Sequence, residues 1–146
     1  MYIYSITFNI FIFREILLKN SIWVKIDLSE NDLLKYRDNA DIVKQTALQI
    51  IKDFGLFGLS IEFPSDIKYA YPELSKQLNA QVFELLHSSN TKLLSLLYQI
   101  DIPEKAIQQK ASAEPDRPLS EVVTELIFLR ELKKVLTRLY FKEHGI

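Results

Sequence analysis

The C-terminal end of the chain carries the longest apolar pattern of helical period in the sequence. From Leu119 to about His144, apolar side chains recur at spacings of three and four residues. This face consists of Val122, Leu126, Leu129, Leu132, Val135, Leu136 and Leu139. It is broader than the seam of a two-stranded coiled coil requires. The pattern therefore predicts a long helix that packs within a helical bundle.

Shorter helical patterns precede this segment, and each has residues suited to a helix terminus. Residues 40–54 form an apolar stripe that stops at Gly55, which can adopt the left-handed conformation that ends helices. Asn90 can cap a further helix, and Asp101 is the expected cap of a short helix that begins near Pro103. We predict a mainly α fold, a compact helical bundle of four or more helices.

A small β element near the N-terminus is the alternative that the pattern leaves open. Residues 21–28 alternate apolar and more polar side chains, which is the period of a half-buried strand. Residues 59–63 form a second short candidate strand, closed by Pro64. If the two segments pair, they make a two-stranded ribbon beside the helices, and the fold class becomes α+β.

The first 20 residues are a separate apolar segment, and residues 21–146 are expected to form one helical domain. The apolar run covers residues 1–13 and has no basic residue before it, unlike a signal peptide. It is also shorter than the roughly 20 residues that a membrane-spanning helix needs. We interpret residues 1–20 as a buried strand or helix, or as an extension outside the native product. The protein is expected to be cytoplasmic.

Composition excludes several classes of site. The 146 residues are 48% hydrophobic, with 18 basic and 19 acidic residues and a net charge of −1. Near-neutrality argues against a nucleic-acid binder that relies on bulk positive charge. The absence of cysteine excludes disulfides, zinc ribbons and cysteine nucleophiles. With three glycines and two histidines, the chain has no phosphate-binding glycine loop and no pattern of a catalytic triad. No catalytic residue and no cofactor is therefore expected.

One pair of residues has the spacing of metal ligands in helical bundles. Glu84 and His87 form a Glu-x-x-His motif, which places both side chains on one face of a helix. A carboxylate-bridged di-iron site needs two such motifs and further glutamates, and the sequence contains one motif. The alternative places His87 in the last turn of its helix, where it interacts with the carbonyl end. We expect no metal.

Basic residues line one side of the C-terminal helix. They are Arg130, Lys133, Lys134, Arg138 and Lys142. At helical spacing they form a basic stripe opposite the apolar face, and such a stripe can contact phosphates. The alternative is a solvated polar face, because basic residues are favoured near the C-terminus of a helix.

Three stretches resemble a family of small bacterial proteins of unknown function. They are residues 52–58 (KDFGLFG), 96–104 (LLYQIDIPE) and 125–135 (ELIFLRELKKV). The resemblance covers about residues 36–143 and omits the N-terminal segment. It implies no activity, cofactor or substrate, so no functional residue is carried over from it.

Together these observations predict a non-enzymatic, cytoplasmic helical protein that acts through protein–protein contact, with itself as a homodimer or with another protein. The absence of catalytic patterns and the breadth of the last apolar face are the reasons for this hypothesis. The alternative function is a nucleic-acid accessory protein that uses the basic stripe on the C-terminal helix.

Overall fold

The computed structural model describes residues 35–143, and the regular secondary structure within that range is helical. Its five α-helices are α1 (Ala40–Gly55), α2 (Ala70–Ser88), α3 (Asn90–Ile100), α4 (Glu104–Ala113) and α5 (Leu119–Glu143). This confirms the predicted helical bundle of four or more helices. The candidate strand at residues 21–28 and the apolar segment at residues 1–20 lie outside the described residues.

Helix α5 contacts each of the other four helices. Its most deeply buried apolar side chains are Val122, Val123, Ile127, Phe128, Leu132 and Val135. Four leucines of the predicted apolar face are only half-buried, namely Leu126, Leu129, Leu136 and Leu139. The prediction was thus right that Val122, Leu132 and Val135 are buried. The buried surface of α5 is wider than the predicted face, because it also includes Val123, Ile127 and Phe128. A helix with neighbours on several sides buries more of its circumference than one apolar stripe.

The main hydrophobic core joins α1, α2, α3 and α5. Its fully buried members include Phe54 from α1, Leu78 from α2, Leu96 from α3 and Ile127 from α5. Helix α4 adds only Ile107, which packs against this core from its edge. In the described part of the chain, no helix combines the length and apolar character needed to cross a membrane.

The ends of α1 are held by a side-chain cap and a glycine turn. At the start, Asn39 Oδ1 accepts a hydrogen bond from the Ile42 amide at 3.2 Å. After the last turn, the amides of Gly58 and Leu59 donate to the carbonyls of Gly55 and Phe54, both at 3.1 Å. This is the Schellman pattern, and its left-handed residue is Gly58, with φ of 69°. The helix does end at Gly55, but the glycine in the left-handed conformation lies three residues later than predicted.

The candidate strand at residues 59–63 is not a strand in the structure. Its backbone instead bonds to side chains of α2: the Glu62 amide donates to Gln77 Oε1 at 2.8 Å, and Gln77 Nε2 donates to the Glu62 carbonyl at 3.1 Å. Gln81 Nε2 donates in the same way to the Ser60 carbonyl at 3.4 Å. The two glutamines satisfy the backbone groups that a partner strand would otherwise satisfy.

Asp101 ends α3 rather than starting α4. Its φ of 70° places it in the left-handed region, and its amide donates to the Tyr98 carbonyl at 3.0 Å. The next amide, that of Ile102, donates to the Leu97 carbonyl at 2.8 Å. Both side chains of this last pair are buried, which completes a Schellman motif with aspartate in the glycine position. The prediction that Asp101 caps the following helix was wrong, because Pro103 occupies that position.

Candidate functional site

Four polar side chains form a buried cluster between α1 and α5. Gln49 and Asp53 lie one turn apart on α1, and Glu131 and Lys134 lie one turn apart on α5. Lys134 Nζ is 2.8 Å from Asp53 Oδ2 and 3.2 Å from Glu131 Oε2. Gln49 Nε2 donates to the same Asp53 oxygen at 2.9 Å. Glu131 is fully buried and Asp53 is 4% exposed, whereas Lys134 is half-buried, so the two acids are part of the interior and the lysine lies at its edge.

Lys134 contacts both carboxyl groups of this cluster. The two acids nevertheless differ in their pKa, because their surroundings differ. Burial raises the pKa of Glu131 to about 8, and the neighbouring carboxyl of Asp53 adds to this effect. For Asp53, burial acts in the same direction, but hydrogen bonds from Lys134 and Gln49 outweigh it and lower its pKa. At pH 7 the cluster therefore holds a charged Asp53–Lys134 pair beside a protonated Glu131.

A basic groove begins beside this cluster, also between α1 and α5. It has a volume of about 420 Å³ and is lined by Lys52, Arg138 and Lys142 together with Gln45, Gln49 and two leucines. Gln49 thus lines the groove while its amide nitrogen bonds to Asp53 inside. The groove is open to solvent along the exposed side of both helices.

The five residues of the predicted basic stripe on the C-terminal helix have different surroundings in the structure. Some form ion pairs within the protein, and others are exposed. Lys134 belongs to the buried cluster, and Arg130 Nη2 is 2.9 Å from Asp101 Oδ2 at the end of α3. Arg138 and Lys142 are exposed and lie together in the basic groove. Lys133 is half-buried. The stripe therefore does not present five cations to one surface.

A second cluster of charged side chains links α4 and the following loop to α5 through ion pairs. Glu125 is 7% exposed, and its Oε1 is 2.9 Å from Lys110 Nζ. Arg117 Nη1 contacts the other oxygen of Glu125 and also donates to Glu114 at 2.9 Å. Glu121, one helical turn earlier on α5, is exposed. Glu125 is buried, because α4 and the loop cover this side of α5.

The candidate metal ligands Glu84 and His87 lie on the exposed side of α2. His87 Nδ1 is 2.8 Å from the Phe83 carbonyl, and its ring lies against the Phe83 ring with centroids 4.3 Å apart. Within residues 35–143, no group of three or more histidine, aspartate or glutamate side chains is placed to hold a metal ion. In the part of the chain that the structure describes, the motif is thus two neighbouring side chains with no third ligand placed beside them.

An apolar groove lies at the opposite end of α5 from the basic one. Its volume is about 310 Å³. Helices α2 to α5 supply its apolar lining, which is Leu86, Leu93, Leu94, Leu97, Ile107, Leu119 and Val123. Leu94 is 46% exposed and Leu119 45% exposed, so the rim is apolar as well as the floor. Glu104 is the one charged residue in the lining.

Comparison with known proteins identifies no relative of this chain. The chain matches no family model, no curated protein and no solved structure at a significant level. The resemblance of residues 52–58, 96–104 and 125–135 to a bacterial family therefore stays an interpretation of those motifs.

Proposed function

We propose that this protein is a non-enzymatic, cytoplasmic interaction protein that forms a homodimer through the apolar groove between α2, α3, α4 and α5. The observation that carries the proposal is the exposure of Leu94 and Leu119 on the rim of a groove with an apolar floor. Exposed apolar surface of this kind, bordered by polar residues, is typical of protein–protein contact sites.

A second copy of the chain is the occupant that the surface favours. Two exposed aromatic side chains are one helical turn from residues of the groove lining: Tyr98 follows Leu94 by four residues and is 88% exposed, and Phe83 precedes Leu86 by three residues and is 53% exposed. A two-fold interface needs such self-complementarity, because protrusions of one copy must enter depressions of the other. The net charge of −1 also means that two copies meet with little repulsion.

The test is the oligomeric state of the full chain and two variants, measured by analytical ultracentrifugation from 1 to 200 µM. We expect a dimer for the wild type, and a monomer for the double variant Leu94→Glu, Leu119→Glu. Leu56→Glu is the matched control, because Leu56 is 62% exposed and lies outside the groove, just after α1. Circular dichroism melts check that all three chains are folded.

Two results would overturn the proposal. One is a wild-type chain that is monomeric at 200 µM, which would mean that the groove does not join two copies. The other is a Leu56→Glu chain that dissociates as readily as the groove variant.

A further inference from the structure

We propose that the basic groove between α1 and α5 is a binding site for a small organic phosphate. This inference is independent of the proposed dimer, because it concerns a different surface. Lys52 from α1 and Arg138 and Lys142 from α5 supply three cations to one groove of about 420 Å³. A volume of this size is ordinary for small-molecule sites.

Within the described range, the three cations have no acidic partner. Among residues 35–143, neither Lys52, Arg138 nor Lys142 forms an ion pair or a side-chain hydrogen bond. The two acids of the neighbouring buried cluster bond to a different cation, because Asp53 and Glu131 both contact Lys134. Like charges around one groove repel each other, so an anion that binds there gains attraction from all three.

The chain concentrates this charge although it is close to neutral as a whole, at −1. Arginine offers a planar fork of donors that matches phosphate oxygens, and lysine supplies a compact charge. Gln45 adds an amide at the same groove. The amide nitrogen of Gln49 donates its hydrogen bond to Asp53, so Gln49 forms the inner side of the groove and we do not count it as a ligand donor.

The rest of the lining indicates that the phosphate is attached to an apolar group. Leu48 and Leu139 lie in the groove with the cations, and Leu48 is 51% exposed. An inorganic anion leaves these leucines in water, whereas a phosphate ester with an aromatic or aliphatic part covers them. The groove therefore favours an organic phosphate over the free ion.

The experiment measures binding of two probes to the full chain by NMR titration at 50 mM salt. The probes are inorganic phosphate and phenyl phosphate. We expect saturable binding of both, with phenyl phosphate at least threefold tighter. The double variant Lys52→Gln, Arg138→Gln should weaken both at least tenfold. Leu48→Ser should remove the preference for phenyl phosphate while inorganic phosphate still binds.

The matched control is Lys76→Gln, Lys105→Gln, which removes the same charge from exposed positions on α2 and α4. It should leave both affinities within twofold of the wild type. An equal loss in this control would overturn the proposal, because the probes would then respond to net charge alone. No saturable binding up to 20 mM would also overturn it. A chain that binds a 20-nucleotide single strand but neither small probe would assign the cations to nucleic acid instead.

Discussion

Replacing the buried Glu131 by glutamine should stabilise the protein at neutral pH. Glu131 is fully buried, and its pKa of about 8 lies well above the ordinary 4.5. The folded chain therefore holds a proton at pH 7 that the unfolded chain releases. Stability falls as the pH rises from about 4.5 through 8, and the linked cost at pH 7 is about 3 kcal/mol. Glutamine has the shape of the protonated acid and no proton to lose.

The structure also gives the amide of Glu131→Gln its partners. Lys134 Nζ lies 3.4 Å from Glu131 Oε1 and can donate to the amide oxygen, while the nearby Asp53 carboxylate can accept from the amide nitrogen. The Asp53–Lys134 pair keeps its 2.8 Å contact and needs no second acid. The substitution thus removes the titration, and the amide has a donor and an acceptor beside it in the cluster.

The assay is urea unfolding of wild type and variant at each pH unit from 5 to 8. The free energy of unfolding of Glu131→Gln minus that of the wild type should grow by about 2 to 3 kcal/mol between pH 5 and 7. Glu84→Gln is the control, because it makes the same substitution at an exposed position on α2. A difference for Glu131→Gln that does not change with pH, or a variant less stable than the wild type at pH 7, would refute the reasoning.

Two further substitutions test the packing around α5 and the end of α3. Glu125→Gln should lower the free energy of unfolding by about 1 to 2 kcal/mol at pH 7, because Lys110 and Arg117 lose a buried acidic partner, whereas their contacts with Glu114 and Glu121 are more exposed. Urea unfolding measures this, and an unchanged midpoint would contradict the structural role of the cluster. Asp101→Ala should be about 1 kcal/mol less stable than Asp101→Gly, since the residue has a positive φ that alanine adopts with strain. The same assay decides it, and equal stability of the two variants would argue against the left-handed turn.

The helices were predictable because their evidence is local. Each apolar stripe repeats within one segment, and the stripe at residues 40–54 marks α1 without reference to any other part of the chain. The turns were harder, because residue type alone does not decide which position takes the left-handed conformation or which helix end a residue caps. Gly58 holds the left-handed conformation rather than Gly55, and Asp101 holds it although the residue type suggests an N-cap. Both left-handed conformations depend on the direction that the chain takes after the helix.

The buried cluster was not predictable in the same way, because its partners are far apart in the sequence. Asp53 and Lys134 are separated by 81 positions, and only the packing of α5 on α1 brings them together. Read alone, Gln49 lies on the polar side of α1 and Glu131 lies within a run of basic residues. Each helix holds a pair at helical spacing, Gln49 with Asp53 and Glu131 with Lys134. That signal becomes specific only once the two helices are known to be neighbours.

The two proposed surfaces lie far enough apart on α5 to be tested separately. Leu119 and Arg138 are separated by 19 positions, which is about 29 Å along a helix. This distance exceeds the Debye length of about 8 Å at physiological salt, so a charge change in one groove is screened from the other. Substitutions this far apart, without shared partners, are expected to act additively. Leu94→Glu with Leu119→Glu should therefore leave phenyl phosphate binding unchanged, and Lys52→Gln with Arg138→Gln should leave the dimer intact. A variant that loses both properties at once would point instead to a single site formed across two copies.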